Sequence, residues 1–129
     1  TQFFFQDEDG ILDFCLSRGL GDVYKRQDKA KSLYKEIKVG RFPLSANGKA
    51  LALGDYEGFV KTLYDAKTGE ILGAHMIGPE VTELINTFSL AVKLEATEAD
   101  IMSTVFPHPT LSEAIHESVL NASDREIHI

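Results

Sequence analysis

Gly58-Phe59-Val60-Lys61-Thr62-Leu63-Tyr64, then Asp65-Ala66-Lys67-Thr68-Gly69, then Glu70-Ile71-Leu72-Gly73-Ala74-His75-Met76-Ile77 is the stretch that decides the fold. Two runs rich in β-branched and aromatic residues flank five turn residues, with Gly69 where a positive φ is expected, which predicts an antiparallel hairpin. Phe59 and Leu63 fall on one face of the first strand, Val60 and Tyr64 on the other. Apolar side chains on both faces predict a central pair of strands covered on each side.

Working backward, Glu36 to Leu44 carries Ile37, Val39 and Phe42 and is closed by Pro43, the pattern of an edge strand. Ser45 to Leu53 reads as a short helix with Ser45 or Asn47 as cap and Gly54 as terminator. Asp28 to Tyr34 is a short polar stretch at the tail of a helix or in a linker.

Working forward, Gly78-Pro79 opens a helix, since proline at the first helical position lacks an amide that would be orphaned anyway. Val81, Leu84, Ile85, Phe88, Ala91 and Val92 then form one apolar stripe at helical spacing. Leu90 and Leu94 lie off that stripe and offer a second strip to a partner subunit. Thr97 to Asp100 reads as a fresh helix start. The expected architecture is α+β: a small antiparallel sheet with strands near 36–42, 58–64 and 70–77, and helices near 79–94 and 112–121 packed on it.

Residues 1–27 read differently. Phe3, Phe4 and Phe5 run together, Asp7-Glu8-Asp9-Gly10 follows, and neither a helical nor an alternating period holds. Cys15 to Gln27 resembles translated sequencing-adapter sequence of the kind found at broken ends of gene fragments. Residues 1–27 are therefore expected to be a non-native or disordered leader making few contacts with a domain over residues 28–129. A genuine disordered or loosely packed extension is the alternative.

The composition excludes several functions. At 129 residues there is material for one domain. The net charge of −7, without a basic cluster, gives nucleic-acid phosphates no concentrated positive face. No apolar run reaches the roughly 18 residues that a membrane-spanning helix needs. The single cysteine, Cys15, excludes an internal disulfide, a CxxC metal knuckle and a redox pair within the chain. No GxGxxG turn is present, and none of the four histidines stands at HxxxH or HExxH spacing.

The chemistry lies in Phe106-Pro107-His108-Pro109-Thr110-Leu111-Ser112-Glu113. Two prolines fix φ on either side of His108 and leave its imidazole on a stiff, non-helical arm. Thr110 and Glu113 have the spacing of a capping box for a last helix, whose apolar side runs through Leu111, Ala114, Ile115, Val119 and Ala122. Glu113 on the first turn is also placed to reach back to the imidazole. Spacing alone allows both readings, an ordinary cap beside a loop histidine or a His–carboxylate pair, and caps are the commoner. His116 reads as an ordinary helix residue, His75 as a core or edge histidine, and His128 as part of a frayed end. The sharp turn from arm to helix predicts a cis His108–Pro109 bond.

The string His108 to Glu113 resembles the carboxy-terminal signature of dihydrolipoamide dehydrogenases, in the pyridine nucleotide–disulfide oxidoreductase family. The likeness extends through Arg41-Phe42-Pro43-Leu44-Ser45-Ala46-Asn47-Gly48 and Thr68 to His75, covering about residues 29–129. Many members carry a second histidine two positions before the catalytic one, where this chain has Phe106. The resemblance implies the interface-domain fold of the FAD/NAD-linked reductases, with FAD, NAD and a redox-active disulfide on preceding parts of a longer enzyme and none bound by this segment alone. It implies a homodimer in which His108 is the base for a dihydrolipoyl thiol and Glu113 its orienting partner, with no metal. It further implies lipoyl domains of 2-oxo acid dehydrogenase complexes as partners, a role in redox homeostasis, and the bacterial cytoplasm or, in a eukaryote, the mitochondrial matrix. Two rivals remain: a glutathione- or mercuric-reductase-like relative, and a stand-alone dimerisation module without activity.

Overall fold

The computed structural model describes the backbone of residues 2–6 and 12–15, Tyr34, and residues 36–129. In chain order its elements are β1 (Gln2–Gln6), β2 (Leu12–Cys15), β3 (Ile37–Pro43), a 3-10 turn (Leu44–Ala46), α1 (Gly48–Leu53), β4 (Phe59–Asp65), β5 (Ile71–Ile77), α2 (Val81–Leu84), α3 (Asn86–Lys93), α4 (Glu98–Ser103) and α5 (Glu113–Asn121). The strands form one antiparallel sheet in the order β2-β1-β5-β4-β3. The expected α+β class holds. So do the central hairpin and the edge position of β3.

The β4–β5 turn is built as its residues dictate. The Asp65 carboxylate accepts from the Lys67 and Thr68 amides at 2.9 and 2.7 Å, and Gly69 adopts φ 75°. A left-handed residue there favours glycine because it carries no Cβ. Val60 and Tyr64 face the main core, while Leu63 joins Leu72, Ile37 and Val39 on the opposite face.

The expectation that residues 1–27 make few contacts with the domain does not hold where the chain is described. β1 pairs with β5 along Gln2 to Phe5, and β2 pairs with β1. An edge of β5 left open would present a row of unpaired amides and carbonyls, and a β-prone stretch satisfies them. The rest of that segment lies outside the described residues.

The long helix expected over 79–94 is two helices. Glu80, at φ 53°, precedes α2, so the helix starts two residues after Pro79, and α2 gives way to α3 at Ile85. The stripe survives the break: Val81, Ile85 and Phe88 are buried, with Leu84, Ala91 and Val92 packed against them. Leu90 and Leu94, off the stripe, are 62% and 70% exposed.

α5 lies directly on β3 and β4. Gly40 sits so close beneath it that a Cβ would fall 1.7 Å from the Ser118 carbonyl oxygen. The Thr62 hydroxyl donates to that same carbonyl at 3.3 Å, and Asn121 Oδ1 accepts the edge amide of Arg41 at 2.8 Å. The sheet thereby holds the C-terminal half of α5, the helix whose first residue is Glu113.

Candidate active site

Thr104 to Pro109 forms the arm. Thr110 is its knot. Its hydroxyl donates to the Pro107 carbonyl at 2.8 Å and lies 2.8 Å from the Ser112 hydroxyl, and its own carbonyl accepts from Asn47 Nδ2 at 3.0 Å. The His108–Pro109 bond is cis, as expected.

Glu113 unites the two readings that the sequence left open. One carboxylate oxygen, Oε2, accepts the Thr110 amide at 2.8 Å, which is one half of a capping box. The other, Oε1, meets His108 Nδ1 at 2.9 Å. The reciprocal half of the box is missing, because the Thr110 hydroxyl is turned to Pro107 and Ser112. The His108 side chain is 78% exposed and that of Glu113 25%.

Burial pushes the Glu113 carboxyl up, but the Thr110 amide, the His108 bond and nearby imidazole charge outweigh it, so the group lies below the usual glutamate range. An ionised carboxylate only accepts hydrogen bonds, so Nδ1 of a neutral His108 must carry the hydrogen. The Nε2 lone pair is then the open one. The pair can take up a proton at Nε2 and stabilise the resulting imidazolium.

The other histidines serve the frame. His75 is buried and stands edge-on to Phe59 at 5.9 Å. His116 Nε2 donates to the Met102 carbonyl at 3.0 Å, and its ring stacks on Phe106 at 5.1 Å, tying the root of the arm to α5. His128, expected in a frayed end, is instead held at 2.7 Å from Oε1 of the buried Glu117. Glu117 Oε2 also accepts the Ile127 and His128 amides at 3.1 and 3.4 Å.

His108, Glu113, His116, Glu117 and His128 line one cleft of about 440 Å³. Among the described residues its walls carry two carboxylates and no Lys or Arg that could pair with a phosphate. Also among the described residues, no group of three or more His, Cys, Asp or Glu is placed to hold a metal. No helix there is long and apolar enough to cross a membrane.

Sequence reasoning found His108 and Glu113 but saw Asn47 only as a helix cap and missed Glu117. An asparagine cap uses its oxygen and leaves two amide hydrogens, which is the available hint that Asn47 has a second partner. Asn47 Oδ1 accepts the Ala50 amide at 2.9 Å while Nδ2 holds the arm, both from a buried side chain. Asn47→Ala is expected to cost about 1–3 kcal/mol in urea unfolding, since a cap and a buried bond are lost together.

The class of the domain comes from comparison with known families. The model for "Pyridine nucleotide-disulphide oxidoreductase, dimerisation domain" matches residues 20–119, and the chain belongs to that family. Among similar relatives are dihydrolipoyl dehydrogenases. That of Zymomonas mobilis is 57% identical over 102 residues, covering 79% of this chain and 22% of the relative. That of Rhizobium etli is 59% identical over 97 residues, covering 75% and 20%. The chain thus spans about a fifth of the length of the curated relatives it matches. Among solved structures, LpdA of Mycobacterium tuberculosis superposes with a TM-score of 0.66 at 26% identity, covering 73% of this chain and 20% of that one. The HOCl-induced flavoprotein disulfide reductase RclA of Escherichia coli gives 0.68 at 25% identity, covering 72% and 21%.

Proposed function

We propose that residues 28–129 are the dimerisation domain of a dihydrolipoyl dehydrogenase and that His108 is its proton acceptor. The observation that carries this is the double use of Glu113, which fixes the imidazole tautomer with one oxygen and the helix start with the other. His108 Nε2 would remove the proton from a dihydrolipoyl thiol, leaving a thiolate, the form that attacks a disulfide. Glu113 would stabilise the imidazolium, as a carboxylate does beside a catalytic histidine. FAD and NAD, bound by chain outside this segment, would supply the electron acceptors. Lipoyl domains of 2-oxo acid dehydrogenase complexes are the proposed partners, in the cytoplasm of a bacterium or the matrix of a mitochondrion.

Pairing with a second copy would use the α2–α3 face and the arm. Leu90 and Leu94 stand out from α3, and Val105, three residues before His108, is 91% exposed. Residues 1–27 would be a leader of non-native origin, its first strand laid along the free edge of β5.

Joined to the preceding part of its reading frame, the protein should bind flavin, dimerise and reduce NAD with dihydrolipoamide. A frame lacking a flavin-binding segment would sink the proposal.

Glu113→Gln should lower kcat/KM roughly tenfold or more, since its single oxygen can take only one of the two hydrogens that Glu113 accepts, and a neutral amide no longer stabilises the imidazolium. Its stability carries a second signature. A carboxyl held below its unfolded value contributes stability that is present above the ordinary glutamate range and lost as pH falls through its folded value. The gap in unfolding free energy between wild type and Glu113→Gln should therefore shrink on acidification below about pH 4. A gap unchanged down to pH 3 would show that Glu113 gains nothing from ionisation.

A further inference from the structure

The last four carbonyls of a helix have no partner within it. At the end of α4 the Asp100 carbonyl accepts the Ser103 and Thr104 hydroxyls at 3.1 and 2.8 Å, and the Ile101 carbonyl accepts the Thr104 amide at 3.1 Å. The Met102 carbonyl is met from another helix: His116 Nε2 reaches across from α5 and donates to it at 3.0 Å. The same imidazole stacks on Phe106, with the ring planes 24° apart. One side chain of α5 therefore caps α4 and braces the arm that leaves it.

We propose that His116 is a positioning residue for His108: by capping α4 and stacking on Phe106 it sets where the arm delivers the His108 ring to Glu113. Its effect on turnover rests on the function proposed above; its effect on the His108–Glu113 bond does not.

The course of the arm supports this. The chain leaves α4 extended at Thr104, and Val105 stands in solvent. Phe106 is the first apolar side chain of the arm that packs against the core, and His116 covers its ring. Pro107 follows with its φ fixed, and its carbonyl accepts the Thr110 hydroxyl at 2.8 Å. His108 is thus carried between two anchors, the Phe106–His116 stack before it and the Thr110 knot after it. Glu113 and His116 are three residues apart in α5 and so neighbours on one face of it. One holds the imidazole, and the other holds the segment that presents it. The bond from His108 Nδ1 to Glu113 is 2.9 Å, and a shift of the arm by about 1 Å would carry it past hydrogen-bond reach.

The test compares His116→Ala, His116→Gln and His116→Phe with wild type. Glutamine keeps an amide donor for the Met102 carbonyl without the ring, and phenylalanine keeps the stack without the donor. In the 129-residue protein, nitrogen-15 NMR through the carbon-bound ring hydrogens reads the two nitrogens of His108. Above the pH at which His108 loses its charge, wild type should carry the ring hydrogen chiefly on Nδ1. His116→Ala should move both nitrogens toward the averaged shifts of a free imidazole. The Gln and Phe variants should each keep part of the wild-type pattern, because each retains one of the two contacts. Unmoved amide shifts of Thr62 and Val119 identify folded protein, and if His116→Ala does not fold, the other two variants carry the comparison. Wild-type His108 nitrogens in every folded variant would overturn the proposal. In the longer enzyme His116→Ala should lower kcat roughly tenfold, with KM within about twofold of wild type. Moved nitrogens beside wild-type turnover would uphold the positioning and count against His108 as the base.

Discussion

His108→Gln in the longer enzyme is expected to reduce turnover with dihydrolipoamide by roughly 10²- to 10⁴-fold, the usual contribution of a positioned general base. Flavin content and dimerisation should stay at wild-type levels. The His108 ring is mostly exposed and makes its bond to Glu113 alone among the hydrogen bonds found for it, so removing it disturbs little of the domain. Glutamine can still bond Glu113 but has no lone pair of comparable basicity to accept a thiol proton. Because the loss is in a proton-transfer step, kcat should fall with kcat/KM rather than KM rising alone. Raising the pH should recover part of the activity, since more of the substrate is then thiolate without help. Near-normal turnover at neutral pH would remove His108 from the mechanism.

Gly40→Ala carries the largest expected effect on stability. The added Cβ would sit 1.7 Å from the Ser118 oxygen and 2.9 Å from the Ala122 nitrogen, and both are backbone atoms of the segment above it. Backbone cannot rotate aside as a side chain does, so α5 must lift from β3. Its contacts with Thr62 and Arg41 would loosen with it. Overpacking of this kind costs about 3 kcal/mol or more. For a domain of this size that lowers the Tm by more than roughly 10 °C. Gly48→Ala is the control: its Cβ meets nothing within 4 Å, and alanine is the better helix former, so the melt should be unchanged or slightly raised. Equal melting of the two variants would mean that α5 does not rest on Gly40.

Much of the site was legible because it is local. His108 and Glu113 stand five residues apart, and two prolines and a capping-box spacing confine what lies between them. The double bonding of Glu113 is a consequence of that short loop. Glu117 was not legible. Its partner His128 lies eleven residues on, past the end of the helix, and no short-range rule joins a helical glutamate to a histidine at that distance. Asn47 and Thr110 are 63 residues apart, so only folding brings the helix cap to the arm.

The same division runs through the fold. Periodicity and turn chemistry by themselves determined the β4–β5 hairpin, the edge strand closed by Pro43, the apolar stripe over 81–92 and the helix after Glu113, because each follows from spacing within one segment. Tertiary structure decided the rest. Pairing on the free edge of β5 recruited β1, which has no periodicity of its own to announce it. The helix divides into α2 and α3 at Ile85, although its apolar stripe runs on unbroken. The space above Gly40 decided where α5 lies, and through it where Glu113 meets His108. Turn chemistry and side-chain period act over one or two turns, whereas close packing and the hydrogen bonds it brings together join residues that the chain separates by half its length or more.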